Sequence, residues 1–232
     1  MKLRTRKAFT LVELIIASLL FGFMIMSLAT IYSTATKHMF QSYRQNTVKS
    51  NASVAMKTIT AKLAAANRID LPGPGSWGNS LRFAVNVDQT TGCYPINPAE
   101  PVTWHEICYA PDVTGTCPLG NCLYYHTGTI AGGGNCPNAP FWGAFYQSSV
   151  GCGTAGLGTV TLLASFVQPP AGGAMFSRAL GNGTLGNNVV NISLRVLWDP
   201  AVVSTAGRDF RASSKKIDST LTTSVGIVRA GQ

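Results

Sequence analysis

From Phe9 to Tyr32 the chain reads FTLVELIIASLLFGFMIMSLATIY, 24 residues whose one charge is Glu13. As a helix, such a run is long enough to cross a hydrocarbon layer about 30 Å thick. From Ser33 to Asn67 there is neither Pro nor Gly, and Val48, Ala52, Ala55, Ile59, Leu63 and Ala66 step by 4, 3, 4, 4 and 3 residues. That spacing is one face of a helix, with Lys49, Lys57 and Lys62 largely off the stripe. The two stretches together predict a single helix from about Phe9 to Asn67, about 88 Å long at 1.5 Å per residue. Its first half suits a bilayer; the apolar stripe of its second half suits a globular head. The helix is expected to end before Pro72, because Leu71 precedes a proline and Pro72-Gly73-Pro74-Gly75 cannot continue it.

Beyond that break, β-rich or alternating runs occur at Ser80–Val87, Val102–Tyr109, Leu123–Thr127, Gly158–Val167, Asn188–Trp198 and Leu221–Arg229, separated by Gly, Pro and Asn clusters. They predict an antiparallel sheet packed on the helix's apolar face, an α+β fold. The segments divide as 1–8, a basic leader; 9–33, a spanning helix; 34–68, an amphipathic stalk helix; and 69–232, a β-rich head. A Gly- and Pro-rich insertion over 90–157 is expected to lack enough regular structure to hold itself.

Charge sharpens this division. The chain of 232 residues carries a formal +9, which invites a nucleic-acid reading. Residues 1–8 contribute +4 through Lys2, Arg4, Arg6 and Lys7, and residues 9–67 contribute another +4. The remaining 165 residues contribute +1, and 83–177 contain no Lys or Arg. The excess therefore belongs to the N-terminal end, where basic residues flanking an apolar span place the N-terminus on the cytoplasmic side. The run is too long for a cleaved secretory signal and ends in Ile31-Tyr32-Ser33-Thr34 instead of small residues.

All six cysteines, Cys93, Cys108, Cys117, Cys122, Cys136 and Cys152, fall within 60 residues of the weakly charged middle. The head lies outside the cytoplasm on this topology, where disulfides persist, so these residues are disulfide candidates. Six allow 15 pairings and the sequence does not choose among them; Cys117 and Cys122 could close a small loop. A metal site using thiols with His105 or His126 is the competing reading. No C-x-x-C pair and no zinc-module His spacing support it, so neither a metal nor a cofactor is expected. The insertion's aromatics (Tyr94, Trp104, Tyr109, Tyr124, Tyr125, Phe141, Trp142, Phe145 and Tyr146) are read mainly as its small core, with a contact surface as the alternative.

Two motifs are look-alikes. Gly181-Asn-Gly-Thr-Leu-Gly186 has dinucleotide-loop spacing, but a strand pattern follows where a helix is required. His105-Glu106 begins like a zinc-protease helix, yet Tyr109 stands where the second His belongs. With no nucleophile, base and acid arrangement and no phosphate loop, no catalysis is expected.

Glu13 needs an explanation, since a carboxylate inside a membrane is costly and tends to be functional. Lys7-Ala-Phe-Thr-Leu-Val-Glu-Leu-Ile15 resembles the processing site of type IV prepilins and type II secretion pseudopilins: a short basic leader, a small residue, then Phe, apolar residues and a Glu fifth after the cut. The resemblance implies cleavage between Ala8 and Phe9 by the prepilin peptidase on the cytoplasmic side, and N-methylation of Phe9. Ala8 stands where that family usually has Gly. It implies that Glu13 attracts the terminal amine of a neighbouring subunit, an assembly salt bridge that offsets part of both desolvation costs and fixes register. Many major pilins have Gly and Pro in the membrane half; here Gly22 is present, but Thr30 replaces the Pro. Keeping Glu13 argues against the tip pseudopilin class that lacks it. Asn191–Trp198 and Thr222–Arg229 are loosely similar to the J-type pseudopilin and its pilus counterpart.

The expectation is a structural subunit, a minor pilin or pseudopilin acting in initiation or tip assembly. It would be a single-pass inner-membrane protein before assembly, with a periplasmic head that is extracellular in a filament. Its partners would be other pilin subunits, the prepilin peptidase and the inner-membrane assembly machinery. A major or adhesive pilin is the first alternative. The second is a DNA-uptake pilin using Arg195, Arg208, Arg211, Lys215, Lys216 and Arg229; interleaved Asp199, Asp209 and Asp218 favour a solvated face instead, and nucleic acid is not an expected partner.

Overall fold

A computed structural model describes residues 10–88, 93–110, 121–130, 151–154, 158–180, 188–198 and 216–227. The leader and the junction residues Ala8 and Phe9 lie outside the described residues, as do Cys117, Cys136 and the aromatics Phe141, Trp142, Phe145 and Tyr146. By contact density the chain divides into two units, 1–44 and 45–232.

In the first unit the chain is helical from Leu11, within the α1 helix Leu11–Ala64. Every large apolar side chain from Leu11 to Tyr32 is exposed, none below 47%. One helix is thus long and apolar enough to cross a membrane, with its apolar window wholly uncovered by the chain itself. Gly22 and Thr30 sit inside the helix without breaking it, and Thr30 Oγ1 donates to the carbonyl of Met26 at 2.5 Å. A threonine keeps the backbone N–H that a proline would remove, so the ladder continues.

In the second unit the rest of α1 buries Val48, Ala52, Ala55, Ile59 and Leu63, and Ala66 just beyond its end, which is the expected stripe. The helix stops at Ala64, three residues short of the expected end, where Asn67 already donates its backbone N–H to Ala84 O in the adjacent sheet.

Among the described residues ten strands follow: β1 Arg68–Leu71, β2 Trp77–Gly78, β3 Ser80–Val85, β4 Val102–Ala110, β5 Cys122–Ile130, β6 Thr159–Ser165, β7 Val167–Gln168, β8 Phe176–Arg178, β9 Val189–Trp198 and β10 Ile217–Gly226. They form two antiparallel sheets where one was expected. The first has the order β1-β3-β4-β5-β6, the second β10-β9-β8-β2, with β7 also on β9. After β6 the chain passes from the first sheet to the second at Phe166, a left-handed residue (φ 62°) just before β7, while β2, between β1 and β3, also pairs into the second sheet. Leu81 and Phe83 of β3, Ile107, Leu123, Tyr125, and Ile192, Leu194 and Val196 of β9 join the helix stripe in one apolar cluster. The head is therefore α+β, with inner faces of both sheets contributing to a single core around the end of α1.

The expectation for 90–157 needs correction. Two of its segments, β4 and β5, are nine-residue strands at the centre of the first sheet, paired over their full length from Val102↔Ile130 to Ala110↔Cys122. Each strand buries side chains on both faces: Val102 and Trp104 against Ile107 in β4, and Cys122 and Tyr124 against Leu123 and Tyr125 in β5. One face joins the main core; on the other, Ala84, Val87, Tyr94, Val102 and Trp104 form a second small cluster. Gly128, directly opposite Trp104, is required there, because any Cβ would run into the indole ring.

Candidate functional site

Two places gather chemistry-bearing residues, one in each unit. At the start of α1, Thr10 precedes the first helical residue. Its backbone N–H and its Oγ1 both donate to Glu13 Oε2 at 3.0 Å, and the Glu13 N–H donates back to Thr10 Oγ1 at 3.3 Å. This is a capping box: a threonine cap and a glutamate three residues on satisfy backbone donors that the helix cannot. The sequence reading missed it, although its signal, T-x-x-E ahead of an apolar run, stands in the chain at Thr10–Glu13. The carboxylate is thereby held at the helix start, where the macrodipole also favours negative charge.

The second place is the outer face of the first sheet. Arg82, Glu106 and His126 lie side by side on β3, β4 and β5 (Arg82↔Glu106, Glu106↔His126). Arg82 Nε donates to Glu106 Oε1 at 2.8 Å, and Glu106 is almost fully covered. A carboxylate in that position needs its partner, since an uncompensated buried charge is costly. His126 is 1% exposed, and its Nε2 accepts the backbone N–H of Gly153 at 3.0 Å. Burial lowers its pKa; the Glu106 charge pulls the other way and loses.

One rung along, Cys108 is disulfide-bonded to Cys152, 44 residues later. The sulfurs lie beside the His126 ring, with the ligand-type atoms of Cys108, His126 and Cys152 all within 4.8 Å of one another. Tyr124 packs against Gly153, whose φ of 83° and contact with that ring both require glycine. Cys93 and Cys122 are each in a disulfide too, though not with each other among the pairs the described residues form. Of the metal reading's two histidines, then, the structure brings His126 to thiol-derived sulfurs, and those sulfurs are bonded to each other.

His105 goes elsewhere. In a strand it and Glu106 point to opposite faces, so the zinc-protease likeness has no geometric basis. Facing the core, His105 Nδ1 lies 2.7 Å from Tyr125 Oη and 3.1 Å from Thr127 Oγ1, with the Phe83 ring centroid at 4.8 Å. Burial, seconded by the charge of Lys62, lowers its pKa to about 4.

The candidate basic surface is not brought together among the described residues. Arg195 donates to both carboxylate oxygens of Asp218 across β9 and β10, Nε to Oδ1 at 2.8 Å. Arg208, Arg211, Lys215 and Arg229 lie outside the described residues, as does the glycine loop 181–186. No family model, no curated protein and no solved structure matches this chain.

Proposed function

We propose that the chain is a type IV pilin-like structural subunit, a minor pilin or pseudopilin, assembled through its N-terminal helix. The observation that carries this reading is the division of labour along α1. Its first part is apolar on every side with its large apolar side chains exposed, and one carboxylate stands at its start; its last part is the core element of a β-rich head. A membrane covers such a helix before assembly, and the same segments of neighbouring subunits cover it afterwards. The lone Glu13 then has a purpose: an acid costly to every apolar environment marks the one register in which a neighbour's amine lies beside it.

On this reading the precursor is trimmed between Ala8 and Phe9, the Phe9 amine is methylated, and the head carries its disulfides outside the cytoplasm. Mass spectrometry of the protein from its native membrane tests the processing: a methylated Phe9 terminus is expected, and a Met1 terminus ends the reading. Glu13→Ala is expected to be processed normally and to be lost from sheared filaments. Normal incorporation of that variant removes the assembly role while leaving the processing role intact.

A further inference from the structure

We propose that Cys108, Cys152 and His126 form a binding site for a thiophilic divalent cation of the Zn²⁺ kind whenever the Cys108–Cys152 bond is not formed. That state exists in the newly made chain, and a dithiol reductant restores it. In the latter case the two sulfurs gain two electrons and two protons while the reductant's own thiols join as its disulfide. Metal entry then displaces the two thiol protons and leaves two thiolates and a neutral imidazole on the ion.

Three features of the head lead there. The donor atoms already converge within 4.8 Å, and a tetrahedral zinc site with bonds of 2.0–2.3 Å places its donors roughly 3.5 Å apart. Two of the donors, Cys108 on β4 and His126 on β5, stand on adjacent central strands that pair continuously, so they are fixed in position before any metal arrives. The third, Cys152, belongs to the segment that reaches them.

The imidazole is also well placed. It is 1% exposed, and among the described residues its one hydrogen bond is the N–H of Gly153 to Nε2. With Nε2 accepting, Nδ1 carries the proton, and among the described residues that donor meets no hydrogen-bond acceptor. A metal on Nε2 replaces the Gly153 bond; a metal on Nδ1 moves the proton to Nε2 and breaks the same bond. In either case Gly153, next to Cys152, changes partner as the ion binds. Glu106 stays outside the donor set, tied to Arg82, so the described residues supply three protein ligands and leave a fourth position to be filled. Beyond holding an ion, such a site keeps Cys108 and Cys152 adjacent before oxidation, in a chain with 15 ways to pair its cysteines.

The test uses the full-length protein in detergent micelles, purified oxidised, reduced with a phosphine under argon and titrated with Co²⁺. A sulfur-to-cobalt charge-transfer band with tetrahedral visible bands is expected, reversed by Zn²⁺, and absent before reduction. The other cysteines are reduced too, so the comparison is with His126→Gln and with Cys108→Ser/Cys152→Ser. His126→Gln keeps the disulfide during purification, so it is expected to fold; its Co²⁺ affinity should fall at least about tenfold. The double variant should lose the band. Unchanged affinity in His126→Gln, or the same band in the double variant, overturns the site.

Discussion

The two ends of α1 differ in apolar content, 17 of 22 residues over 11–32 against 9 of 20 over 45–64, and they solve opposite problems. Between Leu11 and Tyr32 apolar side chains point in all directions and remain exposed; beyond Gln45 the stripe Val48, Ala52, Ala55, Ile59 and Leu63 is buried, and Val54, off the stripe, is exposed. A helix that is hydrophobic all round must be covered by something outside itself on every side, whereas a striped one needs a single partner face. The first end is therefore left without such a face among the described residues, and the second finds it in its own head.

Paired truncations test that difference most strongly. Leu63→Ala empties a fully buried position in the main core, and a loss of about 2–5 kcal/mol is expected in urea unfolding of the head followed by tryptophan fluorescence. Leu20→Ala, a similar deletion at an exposed position, is expected to stay within about 0.5 kcal/mol in the same measurement. Equal losses would mean that the two ends do not divide as described.

A second contrast is between the two histidines of the head, which occupy opposite faces of one sheet. His105 has a pKa of about 4 in the folded chain against an ordinary 6.5. Between those values the unfolded chain binds more protons, so stability is fully present above pH 6.5 and is lost as pH falls toward 4. At pH 4.5 the expected loss is about 2–3 kcal/mol relative to pH 7.5. His105→Gln should flatten most of that slope, because it removes the proton uptake while keeping a polar group for Tyr125 and Thr127. His126 acts in the same direction, opposed by Glu106, so the remaining slope in His105→Gln reports its share. A slope unaffected by His105→Gln would assign the acid sensitivity elsewhere.

What the sequence made legible follows the same division. The stripe Val48–Ala66 could be read residue by residue because a 3.6-residue period encodes one buried face. Strands β3, β4, β5, β6, β9 and β10 were visible because each has at least six residues of β-forming character. β2, β7 and β8 have two or three residues each, too few to show alternation, and with them went the second sheet. β1, four residues just past the helix, was hidden by its Arg and Asp, which pair with each other at 2.7 Å. The Arg82–Glu106–His126 rung was illegible for another reason: its members are 24 and 20 residues apart and meet through strand register alone, which no local pattern specifies. The Cys108–Cys152 pair, 44 residues apart, is likewise specified by no local pattern.

The smallest expected effect lies at the start of the exposed end. Thr10→Val removes the hydroxyl that both donates to and accepts from Glu13, leaving the Thr10 N–H to Oε2 bond in place. Loss of such a cap costs about 1 kcal/mol, and here it should be confined to the first turn. Amide exchange in micelles is expected to quicken roughly fivefold at residues 11–14, by the Boltzmann factor for that energy, with no change in the head's urea midpoint. Thr10→Ser, which keeps the hydroxyl, should behave as the unaltered chain. Faster exchange reaching the head's strands would show that the two ends of α1 share their stability; unaltered exchange at 11–14 would show that the capping box holds nothing. A confined effect leaves the comparison as drawn: the head is stabilised by its own stripe, and the exposed end is free to take its partner from outside.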